Sequence, residues 1–138
     1  MNCLLCRCSL TEYKIDMHHH DYDSSCIFCR IAKGEIPSRK VYEDDEVFVF
    51  HDINPAAPVH FLMIPKKHIA SMAHLSAEDS PLLGRMMALA PKLALEQGCN
   101  PYPDGGFRIV VNTGTEGGQE VHHLHLHVMG GARPWLKG

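Results

Sequence analysis

The sequence predicts an α+β domain built on a mostly antiparallel sheet. Three observations carry that expectation. Short apolar runs at Val47–Phe50, Phe61–Ile64 and Val121–Met129 read as strands, joined by turns and not by regular helical crossovers. One segment, Ser76 to about Gln97, sustains a helical period over several turns. The chain has 138 residues, the size of one domain with a real core, and shows neither an internal repeat nor a dividing linker.

Residues 1–24 differ from the rest. They carry Cys3, Cys6, Cys8 and the run His18-His19-His20 without a sustained period, and read as a poorly ordered leader. Met17 is an alternative start within it. A single domain is expected over residues 25–138. Ser24 or Ser25 is placed to cap a short helix through Cys26–Lys33, which Gly34 ends. Val41–Tyr42 and Glu46–Phe50 read as strands around the acidic turn Glu43-Asp44-Asp45. The unbroken apolar run Val47–Phe50 suits a strand covered on both faces. Pro55 and Pro58 interrupt the chain before the Phe61–Ile64 strand, which Pro65 stops. In the long helix, Leu82, Leu83, Met86, Leu89, Leu93 and Leu95 recur at roughly helical spacing. Pro81 suits its first turn, Pro91 marks a kink and Gly98 ends it. Asn100–Gly106 is a Pro/Gly loop, Phe107–Asn112 a strand and Thr113–Gly118 a Gly-rich turn. Val121–Met129 is the last strand, before a tail with the only Trp, Trp135.

Composition narrows the functional classes. Lys plus Arg is 13 against 16 for Asp plus Glu, giving a formal charge of −3. A mildly acidic chain is not suited to coating nucleic acid through its phosphates. No apolar run is long enough to span a bilayer, and the first ten residues lack a secretory h-region. The tight cysteine spacings suit metal ligation or free thiols in a reducing compartment, and the cytoplasm is the expected location. Histidine is the outlier, with 11 residues, several of them clustered.

The cluster that carries chemistry is His123-Leu124-His125-Leu126-His127. Alternation in a strand places His123, His125 and His127 on one face and Leu124, Leu126 and Val128 on the other. His122 falls with the apolar set. Each buried imidazole needs partners for its ring nitrogens, so such a face is not built for simple packing. Two chemistries use it. Imidazoles can ligate a metal as neutral donors. Alternatively, one imidazole can attack phosphorus and form a covalent intermediate while its neighbour gives a proton to the leaving group. Gly114, Gly117 and Gly118 just upstream allow the backbone to approach an anion closely.

The run His123–Met129 resembles the histidine triad pattern, His-φ-His-φ-His-φ-φ. The resemblance extends over about residues 26–138. It includes Cys26–Ile31, Gly34–Pro37, His51–Pro55, His60–His68 and Gly117–Val121. The exit Met129-Gly130-Gly131 and the near-terminal Trp135 are similar to the HINT branch of the family. That resemblance implies a five-stranded, mostly antiparallel sheet with one short and one long helix. It also implies a homodimer whose sheet continues across both copies, with Trp135 reaching toward the partner's site. The implied activity is hydrolysis of the P–N bond of purine nucleoside 5′-phosphoramidates, including adenylated amines such as AMP-lysine. The expected partner is a purine nucleoside monophosphate or phosphoramidate, with no nucleic acid and no membrane.

The resemblance also implies roles. His125 is the nucleophile, His127 contacts the phosphate and assists proton transfer, and His123 orients the site. His60 is the fourth active-site histidine, behind the triad. Asp52 binds the ribose hydroxyls, since a carboxylate can accept two hydrogen bonds at once. Ile27, Phe28, Phe50 and Ile53 wall the base, and His51 lines the same pocket. Asn112, Gly118, Gln119, Glu120 and Val121 lie on the phosphate side. Glu120 departs from the pattern, because the best-known HINT proteins carry a small hydroxyl residue there. No cofactor is required for catalysis. Cys26-x-x-Cys29 is half of a structural zinc site, and the resemblance completes it with His68 and His123. The alternatives are a nucleotide-binding partner protein with vestigial catalysis, a dinucleoside polyphosphate hydrolase and a zinc-stabilised interaction module.

Overall fold

Alternation along three central strands sorts the apolar residues into two cores, one on each side of a sheet. The computed structural model describes residues 21–132, so the Cys3/Cys6/Cys8 and His18–His20 readings and Trp135 lie outside the described residues. The elements are α1 (Ile27–Ala32), β1 (Lys40–Glu43), β2 (Val47–His51) and β3 (Val59–Pro65), then α2 (Ser80–Glu96), β4 (Phe107–Val110) and β5 (Leu126–Gly130). Two single-turn 3₁₀ helices, Met72–His74 and Ala77–Asp79, precede α2. The sheet order is β1-β2-β3-β5-β4, and every neighbouring pair is antiparallel. The α+β, five-stranded expectation is met.

Val47 and Val49 of β2, Val59, Phe61 and Met63 of β3, and Leu126 and Val128 of β5 face α2. There they pack with Met86, Ala90, Leu93 and Ala94. Phe48, Phe50, Leu62 and Ile64 face the other way and pack with Phe28, Cys29 and Ile31 of α1. This double cover explains why β2 reads as a continuous apolar run. The same parity leaves His60 and His127 on the α1 side, since Leu62 pairs with His127 across β3 and β5.

Several local expectations are corrected. The short helix is capped by Cys26, not by Ser24 or Ser25. Its thiol accepts the Cys29 N–H at 3.3 Å, and its extended backbone turns the chain into the helix. Ser76 does open the helical region, through a capping box with Asp79, but that turn is 3₁₀ and α2 proper begins at Ser80. Leu95 is 53% exposed and belongs to the solvent face, while Ala90 and Ala94 complete the buried one. As expected from the helical period, α2 runs to Glu96 with Pro91 inside it. The last strand begins at Leu126 and not at Val121, so His123 and His125 lie in a non-ladder segment ahead of it. His122 is exposed instead of apolar-facing.

Candidate active site

His125 and His127 reach the α1 side of the sheet from β5 and the segment before it. Their rings lie 5.0 Å apart, centroid to centroid. His125 is buried. Its Nδ1 lies 2.7 Å from the carbonyl oxygen of His123. A carbonyl only accepts, so Nδ1 carries the proton and the Nε2 lone pair is left for chemistry. Phe28, delivered by α1, packs edge-on against this ring at 5.1 Å and against Phe50 at 5.4 Å.

The second pair is fixed in the same way. The backbone N–H of Ala56 donates to Nδ1 of His60 at 2.9 Å, so the His60 proton sits on Nε2. That Nε2 lies 2.9 Å from Nδ1 of His127 and donates to it. His127 therefore keeps its own proton on Nε2. Asp52 Oδ2 stands 3.4 Å from His60 Nε2 and 4.0 Å from His127 Nδ1. Its Oδ1 accepts the Asn54 N–H at 2.8 Å. Burial, reinforced by the His125 and His60 rings, pushes His127 down to about 4 against the opposing pull of Asp52. Burial likewise lowers His60, again opposed by Asp52. Both rings are neutral in the resting protein at pH 7.

The loop expected on the phosphate side, Thr113–Val121, is tied by hydrogen bonds of its own. Gly117 permits a close turn, because a Cβ there would stand 2.3 Å from the Thr113 carbonyl oxygen, and Gly118 adopts φ +80°. Gln119 is buried, and its amide is spent on the backbone. It accepts the Gly114 N–H at 3.0 Å and donates to the carbonyls of Ala70 at 2.8 Å and Val121 at 3.0 Å. The Gln119 side chain thus braces the loop that the resemblance puts on the phosphate side. Glu120 is exposed beside it, Asn112 and Val121 are half-buried, and Val121 packs against the Phe28–Phe50 cluster.

The expected base walls divide. Phe28 and Phe50 form a buried floor, while Ile27 at 48% and Ile53 at 91% exposure stand as an uncovered apolar rim. His51 is not brought to this site. It follows Phe50 in β2 and so turns to the opposite face, where its side chain meets Gln97 at the end of α2.

Behind His125 lies a second cluster. His123 is fully buried, and its Nε2–H donates to the Pro65 carbonyl at 2.8 Å. Its Nδ1 lone pair therefore faces Cys26 Sγ at 3.3 Å, Cys29 Sγ at 3.5 Å and His68 Nδ1 at 3.2 Å. His68 Nδ1 lies 3.3 Å from Cys29 Sγ. Burial drives His123 down to about 4 and the Cys29 thiol up to about 12. All four donor atoms lie within 4.8 Å of one another. Two sulfurs and two imidazole nitrogens are the donor set of a closed tetrahedral zinc site, so these residues fit such an ion. Asp52, His60 and His127 also cluster within that range. There, however, the Nδ1 lone pairs are already taken by Ala56 and His60.

Sequence reasoning missed the main-chain partners. The Ala56 N–H, the Pro65 carbonyl and the His123 carbonyl set the tautomers, and backbone groups leave no signature in residue type. The Leu124 N–H, bonded to the Ile69 carbonyl at 2.6 Å, belongs with them.

Residues 25–136 match the family described as "Scavenger mRNA decapping enzyme C-term binding". The chain is 54% identical over 106 residues to Protein HitA of Neisseria gonorrhoeae, covering 77% of this chain and 95% of that protein. It is 46% identical over 105 residues to the purine nucleoside phosphoramidase of Escherichia coli K12, covering 76% and 86%. Among solved structures it resembles a histidine triad protein from Clostridium difficile, with TM-score 0.75, 45% identity and coverage of 81% and 95%. A HIT family hydrolase from Legionella pneumophila gives TM-score 0.73, 47% identity and coverage of 78% and 94%.

Proposed function

From the premise that the chain belongs to the histidine triad family of hydrolases, we propose that it cleaves the P–N bond of purine nucleoside 5′-phosphoramidates. The observation that carries this reading is the His125 ring. Its Nδ1–H is tied to the His123 carbonyl, its Nε2 lone pair is available, and His127 stands beside it. The similarity to a purine nucleoside phosphoramidase supports the substrate class.

In this reading His125 Nε2 attacks phosphorus while the P–N bond breaks and its electron pair leaves with nitrogen. The anionic phosphoryl group favours a doubly protonated His127, whose new Nδ1–H gives up the bond from His60 Nε2–H and turns to Asp52 as counter-ion. His127 then gives its Nε2 proton to the departing amine. The His123 carbonyl steadies the positive ring of nucleotidyl-His125. Water next attacks phosphorus, returns a proton to His127 and releases the nucleoside monophosphate and the free His125 ring. Asp52 binds the ribose, and Ile27 and Ile53 close over the base against Phe28 and Phe50.

Zinc at Cys26, Cys29, His68 and His123 is part of the proposal, in a structural role. Such an ion would hold both sulfurs as thiolates and would leave His123 unavailable as an acid. A homodimer is proposed as well. β4 is an open sheet edge, with Phe107 39% exposed and Arg108 uncovered. Cys26, Cys29 and Cys99 are free thiols, which suits the cytoplasm. No helix among the described residues is long and apolar enough to cross a membrane.

The deciding experiment is hydrolysis of a fluorescent adenosine 5′-phosphoramidate by wild type and His125→Ala, with AMP binding measured on both. Turnover in wild type and a loss of at least about 10³-fold in the variant are expected, with AMP affinity retained. Folded wild type that binds AMP but never turns over would replace this reading with the binding-protein one. Preferential cleavage of a dinucleoside polyphosphate would replace the substrate class.

A further inference from the structure

We propose that the Cys26/Cys29/His68/His123 quartet, with its ion bound, positions the nucleophile His125 and does more than stabilise the domain. The inference rests on the hydrolase and metal readings above and adds a coupling between their two sites.

Two physical connections join the clusters. The first runs through the main chain. His123 contributes its Nδ1 to the quartet and its carbonyl to His125 Nδ1–H at 2.7 Å, so one residue serves both groups. The second runs through α1. Cys26 and Cys29 lie at and just inside the helix N-terminus, and Phe28 between them packs edge-on against His125 at 5.1 Å. An ion that fixes both sulfurs also fixes the ring that bears on the nucleophile.

The segment needs such anchoring. The β3–β5 ladder covers Leu126–Gly130 and ends before His125. Residues 123–125 are held by the His123–Pro65 bond, the Leu124–Ile69 bond and the quartet. Ile69 directly follows His68, so one of those bonds also starts beside a quartet residue. Without an ion, two imidazole nitrogens stand 3.2 Å apart, each 3.3 Å from a sulfur. Without the bonds an ion would add, the Pro65 and Ile69 bonds are left as the polar anchors of the His123 carbonyl's peptide.

The test uses ¹⁵N-labelled full chain, zinc-loaded or chelated, and a Cys26→Ser/Cys29→Ser variant. Three quantities are read together: the His125 ring tautomer by long-range ¹H–¹⁵N NMR, kcat and KM for the adenosine phosphoramidate, and helicity by circular dichroism. The loaded protein is expected to show a single Nδ1–H tautomer. The chelated protein and the variant are expected to show mixed tautomers at unchanged helicity, with kcat about tenfold lower or more and KM within about threefold. Phe28→Leu keeps all four ligands and should lower kcat by a smaller factor without changing zinc content.

A zinc-free, folded protein with the same tautomer and kcat would overturn the coupling. So would unfolding of both the chelated wild type and the variant, since the ion would then be holding the domain. Wild type that takes up no zinc removes the quartet and leaves hydrolysis standing. A tautomer change in protein that never hydrolyses supports the coupling and removes the hydrolase reading.

Discussion

Two main-chain groups decide the chemistry of two imidazoles. The His123 carbonyl leaves the available lone pair of His125 on Nε2, and the Ala56 N–H, acting through His60, leaves a proton on Nε2 of His127. Placing neutral rings in this setting has a pH consequence. His60 and His127 are held below their ordinary range by burial, His127 to about 4. The unfolded chain takes up protons on both below pH about 6.5, whereas in the folded chain His127 resists until about 4 and burial holds His60 below its ordinary range as well. Their contribution to stability is therefore present above pH 6.5 and is lost as pH falls toward 4. Thermal unfolding at intervals from pH 7.5 to 4 should show Tm falling mainly across that window. A flatter profile is expected in His127→Gln, and an equal slope in that variant would refute the assignment. Gln119 supplies a second residue-scale prediction. Gln119→Leu strands the Gly114 N–H and the Ala70 and Val121 carbonyls, and should cost about 2–3 kcal/mol in urea unfolding. No measurable loss would mean the loop does not depend on this brace.

The elements show how periodicity succeeds and where it misleads. Every third or fourth residue of α2 marks a stripe, and Met86, Leu93 and the small Ala90 and Ala94 prove to be its buried centre. Hydrophobicity alone placed Leu95 in that stripe, yet Leu95 lies on the solvent side. Two truncations separate these cases. Leu93→Ala should cost about 2–5 kcal/mol by leaving a cavity, whereas Leu95→Ala should stay within about 0.5 kcal/mol. Similar costs in denaturant unfolding would contradict the packing described. α1 illustrates a different point. At six residues it is too short to stand by its own propensity, and burial of Phe28, Cys29 and Ile31 against the sheet maintains it.

At the scale of the molecule, the sheet carries a core on each face and the candidate site on one of them. α2 covers one face with aliphatic side chains, while the α1 face carries His60, His127 and the quartet over an aromatic floor. The candidate site thus shares its face with the core beneath α1, opposite the aliphatic core beneath α2. β4 is one of the two edge strands, and there the proposed dimer is tested. Sedimentation equilibrium should report twice the 15.4 kDa chain mass, and Phe107→Glu should shift the population toward single copies. A wild-type monomer at all accessible concentrations would exclude the dimer.

The residue pattern by itself determined the antiparallel α+β class, the double burial of Val47–Phe50 and the histidine cluster. Each of these depends on periodicity or on residue type, which a linear sequence displays directly. The pairing of Cys26 and Cys29 with His68 and His123 came from family resemblance, and the structure brings those four side chains within reach. Only the tertiary structure decided which ring nitrogen of each histidine is available, that Gln119 braces the loop and that His51 faces away. It also decided that the strand stops short of His125. Those outcomes depend on main-chain partners contributed by distant segments, Ala56, Pro65 and Ile69 among them. A carbonyl or an N–H is the same group at nearly every position, so position in space alone selects the ones that act.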